Sequence, residues 1–149
     1  MQPLKLAALD ASDLEIVSAH MQDAVIKLAD IRYLAAKQKF VLIANRFVWD
    51  AIHVGRRRPF ERRRSGLQFA RVLSARSSGV PQNLDEAVLC LLSIGFEPGD
   101  PPSGTIVLNF AGGGTIKLEV ECIEVQLDDL GPAWATAHVP SHEETGVRP

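Results

Sequence analysis

The stretch TIVLNFAGGGTIKLEVE, Thr105–Glu121, alternates apolar and polar residues on either side of a glycine cluster. That period of two belongs to half-buried strands and not to a helix. Ile106, Leu108 and Phe110 share one side of the first arm, and Ile116, Leu118 and Val120 share one side of the second. A turn at AGGG sets the two apolar rows beside each other, which predicts an antiparallel hairpin. Glycine tolerates the positive φ angles such a turn demands. The cluster lacks the lysine and the following helix of a phosphate loop, and it lacks GxGxxG spacing, so it is read as a turn and not as a nucleotide site. Glu119 and Glu121 fall on the opposite, solvated side of the hairpin.

Working outward, the same period recurs. KFVLIANRFVW (39–49) places Val41, Ile43, Phe47 and Trp49 on one face and Phe40, Leu42, Ala44 and Val48 on the other, with Asn45 and Arg46 interrupting the apolar run. Two apolar faces predict a central strand. AVIKL (24–28) and DIRYL (30–34) precede it, the latter joined to it across AAKQ as a second hairpin. GLQFARVLSARS (66–77) reads as one strand. So does AVLCLLSIGF (87–96), with Val88, Cys90, Leu92, Ile94 and Phe96 on one side. EPGDPPSG (97–104) is too rich in proline and glycine for regular structure and reads as a stiff loop.

Helical signals flank this β-rich middle. LKLAAL (4–9) reads as a short strand leading into a helix over Ala11–Met21. There Asp10 is the N-cap, Asp13 lies in the first turn, Leu9 is placed to staple onto Leu14, and Leu14, Val17 and Met21 form an apolar stripe. CIEVQLDDLGPAW (122–134) spaces Ile123, Leu127 and Leu130 at steps of four and three and stops at Gly131 and Pro132, which predicts a short closing helix. The expected fold is α+β: a mainly antiparallel sheet of about seven strands, curled or partly closed as a barrel, with one N-terminal and one short C-terminal helix. By analogy of element order it is pleckstrin-homology-like. A two-layer sheet with the first helix on one face is the alternative.

The 149 residues fit one domain, set at 1–136, and HVPSHEETGVRP within 137–149 has the composition of a mobile tail. No run of eighteen apolar residues occurs, and MQPLKLAALD meets an acid too early for a secretory leader, so a cytoplasmic protein away from membranes is expected. Cys90 and Cys122 lie in apolar segments without CxxC spacing and read as buried free thiols. A helix starting at Cys122 would acidify that thiol. His20, His53, His138 and His142 form no metal-ligand pattern, and no cofactor is expected.

Charge is the distinctive feature. Residues 45–84 carry nine arginines against two acids, net +7, whereas residues 85–149 carry eleven acids against two basic residues, net −9. The first concentration peaks in GRRRPFERRRSG (55–66), with six arginines in twelve positions. Arginine presents a planar fork of donors matched to carboxylate and phosphate. Arg56, Arg57, Arg58, Arg62, Arg63 and Arg64 are therefore the candidate binding residues, with Phe60 between the triplets as a stacking platform.

LKLAALDASDL (4–14), ERRRSGLQFARVL (61–73) and GGGTIKLEVECIEVQLDDLGPAWAT (112–136) together resemble the bacterial domain-of-unknown-function family number 2948. The resemblance implies a small single-domain bacterial protein and carries no reaction, ligand or catalytic residue with it. The expected function is a non-catalytic interaction module that binds an acidic protein partner, or a second copy of itself, through an arginine-rich loop. One alternative is RNA or single-stranded DNA binding by the same loop. The other is an enzyme with a pocket between the first helix and the sheet, involving His20 or Cys122. The acids Glu119, Glu121, Glu124, Asp128 and Asp129 are either a docking face or the internal counterpart of the arginines.

Overall fold

In the computed structural model, which describes residues 3–48, 60–82, 84, 86–131 and 134–136, the glycine-rich hairpin forms as its alternation predicts. Ile106 pairs with Leu118 and Leu108 with Ile116, and Gly112 and Gly113 take φ of 88° and 94° at the turn. In chain order the elements are β1 (Lys5–Ala8), α1 (Ala11–Met21), β2 (Ala24–Leu34), a 3-10 turn (Ala35–Lys37), β3 (Lys39–Phe47), β4 (Phe60–Phe69), β5 (Val72–Ser78), β6 (Val88–Pro98), β7 (Gly104–Phe110), β8 (Thr115–Val120), β9 (Val125–Asp129) and β10 (Trp134–Thr136). The tail assigned to 137–149 lies outside the described residues.

The fold is α+β and its ladders are antiparallel, but the expected seven strands become nine along one path, β1-β9-β4-β3-β2-β6-β7-β8-β5, with β10 added beside β4. The sheet does not close into a barrel among the described residues: β1 and β5 are its two ends. It is strongly curled nonetheless. β4 and β5 are consecutive in the chain, yet β4 stands third and β5 last along the path, so the sheet must bend back on itself. Two hydrogen bonds hold the return: Val72 N–H donates to the Gln38 carbonyl at 2.9 Å, and Tyr33 Oη donates to the Val72 carbonyl at 3.1 Å.

Inside the curl one apolar cluster joins Phe40 and Leu42 of β3, Leu67 and Phe69 of β4, Leu91 and Ile94 of β6, Ile106 and Leu108 of β7 and Leu118 of β8. Helix α1 adds Leu14, Val17 and Met21 to it. Its start is as expected, with Asp13 N–H donating to the Asp10 carboxylate at 2.8 Å. Leu9, however, stays 69% exposed and contributes little as a staple. The helix covers β6 where that strand parts from β2, and Ser18 Oγ accepts from Ile94 N–H at 2.9 Å. Among the described residues no helix is long and apolar enough to cross a membrane.

Four local expectations are corrected. The segment 122–134 is not a helix: Val125 and Leu127 are buried while Gln126 is exposed, and β9 runs between β1 and β4 with Leu127 opposite both Leu6 and Leu67. Leu130, expected on the helical stripe, is 53% exposed. GLQFARVLSARS splits in two, because Arg71 at φ 61° turns the chain from β4 into β5. AVIKL and DIRYL merge into β2, whose register shifts between Ile26 and Ile31. In β6 a register shift between Leu91 and Ser93 flips the alternation, so Leu89 and Leu91 are buried with Ile94, whereas Val88 and Leu92 are exposed.

Candidate functional site

Strand alternation decides where the arginines point. Arg62, Arg63 and Arg64 lie in β4 and not in a loop, opposite Phe47, Arg46 and Asn45 of β3. Arg63 and Arg46 fall on the same face as Phe40, Leu42, Leu67 and Phe69, which is the face of the core. Arg62 and Arg64 fall on the other. Against the expectation of an outward cluster, Arg62 and Arg63 are only 3% and 5% exposed. Arg62 stacks on the Phe47 ring at 5.7 Å and donates to the Asn45 carbonyl at 3.1 Å. Burial lowers its pKa, opposed by the negative charge available at Cys90 and Asp23. Arg64 alone of this triplet is exposed, beside a cavity of about 150 Å³ lined by Val25, Lys27, Asp30, Ile43 and Val88 among others. Arg56, Arg57 and Arg58 lie outside the described residues. Phe60 opens β4 opposite Thr136, and its side chain lies outside them as well.

The inward pair meets Asp129, one of the acids read as either a docking face or the internal counterpart of the arginines. Asp129, at the end of β9, has a side chain with no exposed area. Arg46 grips it with two parallel bonds, Nε to Oδ1 at 2.9 Å and Nη2 to Oδ2 at 3.0 Å, the strong bidentate form. Arg63 Nε stands 3.8 Å from Oδ2, Ser65 Oγ donates to Oδ1 at 2.7 Å, and Leu4 N–H donates to Oδ2 at 2.7 Å. Burial alone would raise the Asp129 pKa, but the bonds from Arg46, Leu4 and Ser65 outweigh it and hold the carboxyl below its ordinary value. This cluster ties β3, β4, β9 and the start of β1 together. Two of the other acids are paired as well: Glu119 with Arg76 at 3.1 Å and Glu124 with Arg71 at 3.4 Å, both pairs exposed.

A different place is open. Where the curled sheet fails to close, between β2 and β5, a cleft of about 300 Å³ lies over Phe40, Ile116 and Val80. It exists because β5 carries Ala75 and Ser77 opposite Leu118 and Ile116, small residues where the core row is otherwise bulky. Leu28, Ile31 and Ala75 are consequently only partly buried. Arg32 and Arg76 line the cleft, and among the described residues no carboxylate does. Arg32 is steadied by the carbonyls of Ala29 and Ile31. The far wall is the segment Val80–Gln82, where Gln82 Nε2 donates to Ser77 Oγ at 2.8 Å and to the Val80 carbonyl at 3.1 Å. No motif marks this cleft, since its residues come from four strands and a turn.

The residues considered for catalysis lie elsewhere. Neither of the two cavities described above is lined by His20 or Cys122. Cys122 precedes a strand, so the helix-start argument for its acidity falls away. The Cys90 thiol is pushed up to about 11, first by burial and then by Asp23, whose carboxylate lies 3.8 Å away, so the nucleophilic thiolate is scarce at neutral pH. His53, His138 and His142 lie outside the described residues.

Compared with known proteins, residues 4–142 match the model of a family described as "Protein of unknown function (DUF2948)". No curated protein and no solved structure matches the chain.

Proposed function

The chain belongs to the DUF2948 family, and from that premise we propose that it is a non-catalytic interaction module which holds an acidic segment of a protein partner in the cleft between β2 and β5. The observation that carries this reading is the lining of that cleft: among the described residues, an apolar floor, two arginines and no carboxylate. At about 300 Å³ it stands at the lower end of the range of roughly 300–1,000 Å³ for small-molecule sites. That volume suits a few side chains of a longer ligand better than a cofactor. The proposal keeps the acidic partner expected from the charge distribution and moves its main seat from Arg62 and Arg63, which are buried, to Arg32 and Arg76. The burial of those two arginines also weighs against single-stranded nucleic acid, which needs guanidinium groups facing outward along a groove.

The test is an array of immobilised peptides graded separately in acidic and apolar content, probed with the whole chain. Binding is expected for peptides that combine glutamate or aspartate with valine, leucine or isoleucine, and is expected to be lost in the Arg32→Ala/Arg76→Ala variant. Binding that ignores peptide charge, or that survives both substitutions, would sink the proposal.

A further inference from the structure

Resting on that reading, we infer that the acidic segment enters as an added β-strand on the free edge of β5, its alternate side chains entering the cleft and its carboxylates meeting Arg32 and Arg76. The two ends of the sheet differ in how far they invite a strand. β1 is four residues long and begins with Lys5, a short edge carrying the charge that discourages pairing. β5 has seven residues, and beyond the register shift at Val72–Ser74 it runs regularly, with Ser74, Ala75, Arg76, Ser77 and Ser78 paired one-to-one with Glu119 to Thr115 of β8. Among the described residues, no backbone group of Ser74–Ser78 is bonded on the side away from β8. That side presents N–H and C=O groups to the same space that the cleft opens.

Main-chain pairing supplies affinity in this mode, and side-chain pockets on alternate positions supply selectivity. Ser74–Ser78 spans roughly 17 Å at about 3.4 Å per residue, enough to pair with five or six residues of a ligand. Because successive side chains of the added strand point to opposite faces, one set reaches inward over Ala75 and Ser77 toward Phe40 and Ile116. The other remains in water. Apolar residues in the first set and acids in the second, near the exposed guanidinium of Arg76, fit this geometry. Among the described residues Arg76 is engaged only by Glu119, in a pair whose side chains are 67% and 39% exposed; such a pair is worth little and yields readily to a competing carboxylate.

The experiment uses the whole chain and an acetylated, amidated hexapeptide alternating valine with glutamate, together with two forms of it N-methylated at one or the other set of alternate amides. Amide hydrogen exchange is expected to slow at least tenfold at Ser74–Ser78 on adding the parent peptide. Methylating the amides that face β5 is expected to weaken binding at least tenfold, since it removes the donors the edge must accept. If both methylated peptides bind as well as the parent, strand addition is wrong, while an acidic segment held by side chains still stands. If the parent binds the Arg32→Ala/Arg76→Ala variant as well as the wild type, or does not bind the wild type at all, the underlying reading fails and takes this inference with it. Exchange at Ser74–Ser78 that slows with rising protein concentration in the absence of peptide would mean that a second copy occupies the edge, overturning the peptide as its occupant.

Discussion

Arg46 and Arg63 on one side, Arg32 and Arg76 on the other, show one residue type placed by the same sheet into opposite environments. The first pair points into the core and shares Asp129. The second stands at the rim of an open cleft, where one member has an exposed acid for company and the other is bonded to backbone carbonyls. What separates them is the face of the sheet: Arg46 and Arg63 share the core face with Asp129, whereas Arg32 and Arg76 line the open cleft. A buried guanidinium is tolerated only when its charge and hydrogen bonds are met; a rim guanidinium is held by water and remains available. An arginine-rich sequence therefore gives no binding site until the sheet has sorted its members.

The comparison breaks most visibly at Asp129. Asp129→Asn leaves two buried arginines without their counter-charge and is expected to cost about 3–5 kcal/mol, the usual penalty for removing one partner of a buried pair, measured as a lowered urea midpoint with unchanged slope. Arg46→Met is expected to cost less, because Ser65, Leu4 N–H and Arg63 still serve the carboxylate and the new side chain is apolar in an apolar setting. If the order reverses, Arg46 and not the acid is the keystone of the cluster.

The same site has a signed pH dependence. Asp129 has a folded pKa held below its unfolded value, which is about 3.9 for an aspartate. A carboxylate of this kind contributes stability that is complete above the unfolded pKa and disappears as pH falls through the folded one. The stability difference between the wild type and Asp129→Asn is therefore expected to be flat from pH 7 to about 5 and to shrink progressively below about 4. A difference that grows on acidification would contradict the assignment.

How much of this was legible in the sequence depends on whether the deciding neighbour was near in the chain. The hairpin around AGGG and the Asp10 cap are local, and both formed as read. The inward direction of Arg46 was already present in its spacing from Phe40, Leu42 and Ala44 within one strand. Its partner was hidden because Ile123, Leu127 and Leu130 satisfy a helical period while Val125 and Leu127 satisfy a strand period. Only the flanking β1 and β4 choose between them, and with that choice Asp129 turns inward. The flip in β6 at Leu92 was invisible for a similar reason: a register shift is set by the neighbouring strand, and no residue there announces it. The cleft was the least legible feature, since it is made by what Ala75 and Ser77 leave unfilled beside residues distant in sequence.

Filling that space should sharpen the contrast at modest energy. Ala75→Leu places a larger side chain over Ile116 and Phe40, where the cleft has room, and cavity-filling changes of this type commonly add about 0.5–2 kcal/mol. Because the position is only partly buried, a gain of about 0.5–1 kcal/mol is expected, with peptide binding abolished. A loss of stability would mean that the cleft is too shallow to accept a side chain, and would count against a ligand seated there.

The smallest effect on folding is expected at the rim. The Arg76–Glu119 pair is exposed on both sides, and pairs of that kind contribute between nothing and about 1 kcal/mol, so Arg32→Ala/Arg76→Ala should leave the urea midpoint nearly where it was. On binding, the same double substitution should weaken the alternating valine–glutamate peptide at least tenfold, about 1.4 kcal/mol, and the wild-type affinity should fall with added salt because the guanidinium groups are screened. This dissociation of stability from binding is the counterpart of Asp129→Asn. If the rim arginines proved as costly to remove as Asp129, they would be structural after all, and the two pairs would differ in exposure without differing in role.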